Sequence, residues 1–163
     1  MTNPEGDDYL IRQTTLKKYA DEVFYRPHIQ NYLKENVSRF PFEEIKNWSP
    51  DILISDTCGV NTAGQIWLNS KYADETPILE LSKWILASDK EAKRVVRHEI
   101  AHVVQFLCRY DSMGTWHGRG FNKALKIVSP KNYKRGKYSD RGWHETSDIL
   151  KARKVFHPLT KVK

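Results

Sequence analysis

The N-terminal third of the chain places apolar residues at helical spacing. Their spacing is close to helical from Tyr9 to Phe24, and the dipeptide Arg26-Pro27 interrupts the pattern. A second helix is predicted at 27–37, because proline suits the first turn of a helix. The aromatic, proline-flanked stretch 39–50 predicts a short helix or a loop. We therefore expect residues 1–50 to form a helical segment packed on the rest of the protein.

The pattern changes at residue 51. The run Asp51–Ser55 and the run Gln65–Asn69 predict two short strands, and the Gly-, Asn- and Thr-rich residues between them predict a turn. We expect these two strands to pair as a small antiparallel ribbon. The apolar residues within 77–86 predict a short helix.

The clearest helical signal begins at Ser88. Ser88 and Glu91 form a capping box, and an apolar stripe at spacings of three and four follows them. Stop signals near Gly114 end this helix, and residues 120–128 predict another. The fold class expected is α+β, mostly helical, with a short antiparallel sheet beside the helix that begins at Ser88. Residues 51–128 would form the core domain and 129–163 a C-terminal extension.

Composition narrows the protein class. With 163 residues, five Trp, six Phe and eight Tyr, the chain can build one cored domain. No apolar run reaches the roughly 18 residues of a membrane span. The polar, acidic start lacks the features of a signal peptide. We expect an intracellular protein, in the cytoplasm or at the nucleoid or nucleus, with no membrane partner. Two cysteines cannot build a disulfide framework or a four-cysteine zinc site.

Positive charge is concentrated at the C-terminal end. The net charge is +7, and residues 119–163 carry 13 Lys or Arg against three Asp or Glu. Such asymmetry indicates a polyanionic partner, nucleic acid first. A solvated, lysine-rich tail that aids solubility is the alternative, and charge alone does not separate the two.

The predicted helix carries the pattern His98-Glu99-Ile100-Ala101-His102. Residues four apart share one face of a helix, so both imidazoles can reach one zinc ion. Glu99 lies between them in sequence and can accept a proton from a water molecule that zinc activates. This pattern predicts a zinc-dependent peptidase of the zincin type, with Glu99 as the general base. Two unrelated histidines on a surface helix are the alternative.

A catalytic zinc needs a third protein ligand. The metzincin pattern requires Gly at 105 and His at 108, and this chain has Gln105 and Cys108, which excludes that class. His117 is the best candidate, because it follows a glycine-bearing turn that can fold the chain back over the helix.

Two segments together resemble the SprT-like metallopeptidases, which include Spartan. They are His98-Glu99-Ile100-Ala101-His102 and, after a loop, His117-Gly118-Arg119-Gly120-Phe121. The resemblance covers about residues 51–128. It implies that His98, His102 and His117 are zinc ligands and that Glu99 is the base. It also implies cleavage of proteins crosslinked to DNA, with activity gated by DNA binding.

The basic C-terminal extension fits a DNA partner, either single-stranded or a junction, because Lys and Arg neutralise phosphates. Its aromatic residues could stack on unpaired bases, or they could anchor the tail by packing. The candidate contacts are Lys131, Lys134, Arg135, Lys137, Arg141 and Trp143. Many SprT-like proteins add a C-terminal zinc ribbon, which two cysteines cannot build here.

Two other functions stay open. One is a zinc peptidase that acts on a specific protein partner and has no nucleic-acid role. The other is a nucleic-acid-binding module with a structural zinc, in which Cys108 is a conceivable fourth ligand. For a peptidase, the strand Gln65–Asn69 is the expected edge against which an extended protein substrate pairs. Trp116 would either wall the cleft or pack in the core.

Overall fold

The computed structural model describes residues 4–55, 62–68, 77–131, 143 and 145–157. Within them it has six α-helices, three strands and two short 3-10 turns, Lys83–Ala87 and Tyr110–Ser112. The helices are α1 (Pro4–Phe24), α2 (Pro27–Asn36), α3 (Phe42–Ile45), α4 (Asp89–Leu107), α5 (Arg119–Val128) and α6 (Ser147–Phe156). The strands are β1 (Asp51–Ser55), β2 (Gly64–Trp67) and β3 (Ile78–Ser82). The molecule is mostly helical with one small sheet, as an α+β protein should be.

The sheet is mixed, so the prediction of an antiparallel ribbon between β1 and β2 is wrong. Strand β3 lies between the other two, in the order β1-β3-β2. It pairs in parallel with β1, with Ile52 opposite Leu79, and antiparallel with β2, with Ile66 opposite Leu79. The first two strands therefore never pair with each other, because the third takes the central position.

The predicted helix at 77–86 is also wrong. Residues Ile78–Ser82 form the central strand, and a 3-10 turn at Lys83–Ala87 follows. Leu79 and Leu81 are fully buried, while the Glu80 carboxylate between them accepts hydrogen bonds from Ser55 and Gln65 on the neighbouring strands. A short apolar run fits a buried strand as well as a helix, and partners distant in sequence decide between them.

Helix α4 begins where the capping pattern predicts. The Ser88 hydroxyl accepts a hydrogen bond from the Glu91 amide at 3.2 Å. The Ser88 amide donates to the Ile85 carbonyl oxygen, and the Glu91 carboxylate pairs with Arg94. The apolar stripe of α4 is buried and packs against α1, α5 and β2.

The terminal helices share the core with α4. Leu16, Ala20 and Phe24 of α1 and Ile149 of α6 are fully buried in one apolar cluster with Ile100 of α4. The N-terminal helices thus pack on the central part, while the domain division at residues 50 and 128 stays a prediction. In the described part of the chain, no helix combines the length and apolar character needed to cross a membrane.

Candidate metal centre

Three histidine side chains converge at the middle of α4. His98 and His102 lie one turn apart on the helix, and His117 comes from the loop between α4 and α5. The Nε2 atom of His117 lies 3.3 Å from Nε2 of His98 and 3.1 Å from Nε2 of His102. Among the residues that the structure describes, this is the one group of His, Cys, Asp or Glu side chains that could hold a metal ion.

The loop that carries His117 is fixed at both ends. On one side, the Gln105 side chain donates to the Trp116 carbonyl oxygen at 2.9 Å. On the other side, Gly120 lies against the turn at Tyr110, where an added Cβ would be 1.9 Å from the Tyr110 carbonyl oxygen. Glycine is required there by close approach of two backbones, and this contact sets the direction in which α5 leaves the loop.

The His102 ring is held between two aromatic rings. Trp116 stacks on it with centroids 4.6 Å apart and planes 2° from parallel, and Phe121 lies 4.4 Å away at 22°. His102 is only 2% exposed. Burial, followed by the proximity of His98, lowers the pKa of His102 from its usual 6.5 to about 3. The imidazole is therefore neutral at physiological pH, which is the form that binds a metal.

The protonated nitrogen of His102 follows from its partner. The amide nitrogen of Gln105 donates to a carbonyl, so the oxygen of the same amide faces His102 and lies 2.8 Å from its Nδ1. Nδ1 must then donate, and the lone pair stands on Nε2, the atom that points to His117. Gln105 is fully buried and fixes both the tautomer and the orientation of the ring.

Glu99 lies between the helix and strand β2. Burial raises the pKa of its carboxyl group from 4.5 to about 8, although the hydrogen bond donated by the Ile66 backbone amide lowers it in part. The side chain is 5% exposed. At pH 7 a carboxyl group with this pKa is mostly protonated, and a cation held beside it would lower the pKa and favour the carboxylate form.

A cleft of about 510 Å³ opens onto this cluster. It is lined by Thr62, Ala63, Gly64, Gln65, Ile66, Val95, His98, Glu99, His102, Trp116, His117 and Trp143. Strand β2 pairs on one side only among the described strands, so it forms the sheet edge beside the cleft. It covers residues 65–67 of the predicted strand Gln65–Asn69, Leu68 lies beyond it, and Asn69 lies outside the described residues. Trp116 is 40% exposed and walls the cleft, so its alternative placement in the core is wrong.

The candidate DNA contacts are only partly described. Lys131 is exposed just beyond α5, whereas Lys134, Arg135, Lys137 and Arg141 lie outside the described residues. Trp143 is half-buried, lines the cleft and packs edge-on against Trp84 at 4.9 Å between ring centroids. This is the position of a packing anchor, and contact of these six residues with nucleic acid stays a prediction.

Two residues of the site were missed from sequence. Gln105 was considered only as a departure from the metzincin pattern, and its place three residues after His102 on a helix was the available signal. The role of Trp143 in the cleft had no local signal. Cys108, the conceivable fourth ligand, caps the end of α4 and is not one of the three side chains in the cluster; burial raises its thiol pKa to about 11.

With this geometry in view, comparison with known proteins defines the class. Residues 28–139 match the model of the SprT-like family. This match covers well over half of the chain, so the protein belongs to the SprT-like family. It begins in α2, ahead of the expected core boundary at residue 51. No curated protein and no solved structure matches the chain significantly.

Proposed function

We propose that this protein is a zinc-dependent peptidase of SprT-like type that acts on DNA-bound or DNA-crosslinked proteins. One observation carries the peptidase assignment. Three histidine nitrogens converge beside a buried carboxylate, Glu99, in a cleft bounded by a sheet edge. Membership of the SprT-like family supports the same activity.

The three histidines fit zinc. Two ligand nitrogens at 2.0–2.1 Å from a tetrahedral ion lie about 3.3 Å apart. The Nε2 atom of His117 lies 3.3 Å and 3.1 Å from those of His98 and His102. The neutral His102 imidazole presents its lone pair at the same point. Bound zinc would supply a Lewis acid that polarises the scissile carbonyl and acidifies a water molecule.

Glu99 provides the base. Its carboxylate accepts a proton from the attacking water and can later deliver a proton to the leaving amine. The Ile66 amide holds the carboxylate in one place, so the proton acceptor does not need to reorganise during the reaction.

Strand β2 provides the substrate platform. An extended polypeptide can add to the open edge of β2 through main-chain hydrogen bonds, which places a peptide bond over the cluster. Such pairing depends on the substrate backbone rather than on its side chains and suits unfolded or partly unfolded proteins.

The DNA-linked substrate rests on charge. The excess of Lys and Arg from residue 119 onward includes the exposed side chains Arg119, Lys123, Lys126 and Lys131. These would bind DNA phosphates and so bring the enzyme to DNA-bound proteins. A peptidase that acts on one protein partner without nucleic acid is the second candidate, and Trp143 favours it, since that side chain faces the cleft rather than open solvent.

Glu99→Gln tests the mechanism. The amide keeps the shape but cannot take a proton, so we expect cleavage of an unfolded protein to fall at least 100-fold, with zinc still bound. Zinc content is measured by elemental analysis. His117→Ala should lower zinc content and cleavage together. Full proteolysis by zinc-loaded Glu99→Gln would contradict the proposal.

A salt titration tests the DNA assignment. Affinity for single-stranded, double-stranded and junction DNA is measured by fluorescence anisotropy from 50 to 300 mM salt. Phosphate contacts require affinity to fall steeply as salt rises. Cleavage of a DNA-bound protein should exceed cleavage of the same protein free in solution. A DNA affinity that does not change with salt would contradict the DNA-linked substrate and favour the second candidate, a peptidase that acts on one protein partner without nucleic acid.

A further inference from the structure

Among the described residues after α5, Trp143 contributes its side chain to the cleft. Trp143 lines the same cavity as the three histidines and Glu99. Every other residue of the described lining comes from 62–66, from α4 or from the loop that carries His117. Trp143 is therefore the one described residue that joins the segment after α5 to the site.

This indole is held in place by buried contacts. Its ring meets Trp84 edge-on at 61°, and the Arg153 guanidinium lies 5.1 Å from the ring centroids of both Trp84 and Trp143. Arg153 is 1% exposed and pairs with Glu145. Helix α6, which carries Arg153, packs on the 3-10 turn that carries Trp84. These contacts hold the Trp143 side chain in one orientation at the side of the cleft.

We propose that Trp143 forms one wall of a subsite for a large apolar substrate side chain beside the scissile peptide bond. The proposal rests on the peptidase function given above. A substrate strand paired with β2 would direct every second side chain toward the cleft, so one of them meets this wall.

The chemistry of the lining favours an apolar side chain. Ile66, Val95, Trp116 and Trp143 supply apolar surface, and outside the metal centre the described lining has no charged side chain. An indole also attracts cations, but the Arg153 guanidinium, itself paired with Glu145, already lies within cation–π distance of the Trp143 ring. Phe and Leu fit best.

The test uses peptides that differ only beside the scissile bond, with Phe, Leu, Ala or Lys at that position. Cleavage sites are mapped by mass spectrometry. For wild type, we expect kcat/KM to be roughly tenfold higher with Phe or Leu than with Ala or Lys. Trp143→Ala should lose this preference, because kcat/KM for the Phe and Leu peptides should fall toward the value for the Ala peptide. Trp143→Phe should retain most of it.

Trp48→Ala is the matched control. Trp48 is also half-buried and packs on an aromatic ring, that of Phe24, but it does not line the cleft. It should lose stability without losing the preference for Phe. Zinc content and thermal unfolding are measured for each variant. If Trp143→Ala unfolds, the comparison of Trp143→Phe with wild type decides, since a smaller ring should weaken the preference measurably.

The outcomes separate this proposal from the peptidase assignment. Unchanged selectivity in folded Trp143→Ala overturns the subsite and leaves the peptidase standing. Loss of DNA affinity with unchanged selectivity also overturns it and assigns Trp143 to nucleic acid. If wild type cleaves nothing, the peptidase assignment fails. The subsite is then tested by calorimetry with benzyl- and methyl-bearing hydroxamates on zinc-loaded protein, where a benzyl preference that depends on Trp143 supports it and its absence overturns it.

Discussion

The Gln105 side chain ties together two parts of the metal centre that are separate in the chain. Its amide oxygen accepts from His102 on α4, and its amide nitrogen donates to the backbone at Trp116, next to His117. One buried residue thus orients the second histidine and restrains the loop that carries the third. Such outer contacts lower the entropic cost of gathering the ligands around an ion.

Gln105→Leu should weaken zinc binding by roughly 10- to 100-fold, because both hydrogen bonds disappear while the volume is nearly kept. Affinity is measured by competition with a chromophoric chelator. Gln30→Leu is the matched control, since Gln30 also donates from its side chain to a backbone carbonyl, that of Phe24, away from the site. If Gln105→Leu and wild type bound zinc with equal affinity, Gln105 would have no role in metal binding.

Glu99 makes the stability of the metal-free protein depend on pH. Its folded pKa of about 8 lies above the usual 4.5, so the folded protein holds more protons than the unfolded chain between these values. Its contribution is fully present below pH 4.5 and is lost as pH rises through 8. The lowered pKa of His102 acts in the opposite direction and mainly below 6.5, so of these two groups Glu99 dominates between pH 6.5 and 8.

Metal-free protein should therefore lose about 2 kcal/mol of unfolding free energy between pH 6.5 and 8. Glu99→Gln removes the titration, so its stability should stay nearly constant over this range. Urea unfolding of chelator-treated samples at three pH values measures both, and the difference between the two proteins isolates Glu99. Parallel curves for wild type and variant would contradict the raised pKa.

At the scale of elements, the close approach of strand β2 to helix α4 sets the geometry of the candidate site. Gly64 allows this approach, because a Cβ there would lie 2.7 Å from Val95 Cγ1 and 2.9 Å from the Glu80 carbonyl oxygen. The same close packing lets the Ile66 amide reach Glu99 on the helix. Strand β2 and the Glu99 carboxylate are thus positioned by one contact between strand and helix.

Gly64→Ala should push β2 away from α4 and cost about 1–3 kcal/mol of unfolding free energy. Because the Ile66 amide moves with the strand, kcat/KM on an unfolded protein should fall by more than this destabilisation explains. Adding Val95→Ala relieves the closest contact and should recover part of both losses. If Gly64→Ala kept wild-type stability and activity, β2 and α4 would accommodate the added methyl group without moving apart, which would contradict this prediction.

The elements that the sequence predicts well are those whose signals are local. The capped stripe of α4 and the proline before α2 depend on neighbours within a few residues, and the helical spacing of His98 and His102 does too. Strand β3 was mispredicted because its central place depends on pairing with β1 and β2. The roles of Trp143 and Gln105 in the site could not be predicted for the same reason. Their partners, Arg153 and the Trp116 carbonyl oxygen, are brought near them only by the course of the loops.

At the scale of the whole molecule, the metal centre lies where the packing of several elements meets. Helix α4 is covered by α1 and α5 and touches β2, and all belong to one apolar core. An ion bound by His98, His102 and His117 would add a link between α4 and the loop before α5. Metal binding and folding should therefore be coupled.

Removal of zinc should lower the melting temperature. At an ion concentration 100 times its Kd, binding stabilises the folded state by about 2.7 kcal/mol. For a protein of this size that corresponds to roughly 5–10 °C. Calorimetry with and without a chelator measures the shift, and His117→Ala should show a much smaller one. An unchanged melting temperature after chelation would contradict metal binding at this cluster.

The flat stack of Trp116 on His102 also has an optical consequence. Indole emission is quenched by a paramagnetic ion at close range, whereas zinc has a filled d shell and leaves it largely intact. With its ring centroid 4.6 Å from that of a candidate ligand, Trp116 would dim when Co²⁺ occupies the site and recover when zinc, in excess, displaces it. Trp116 fluorescence would then report which ion the three histidines bind.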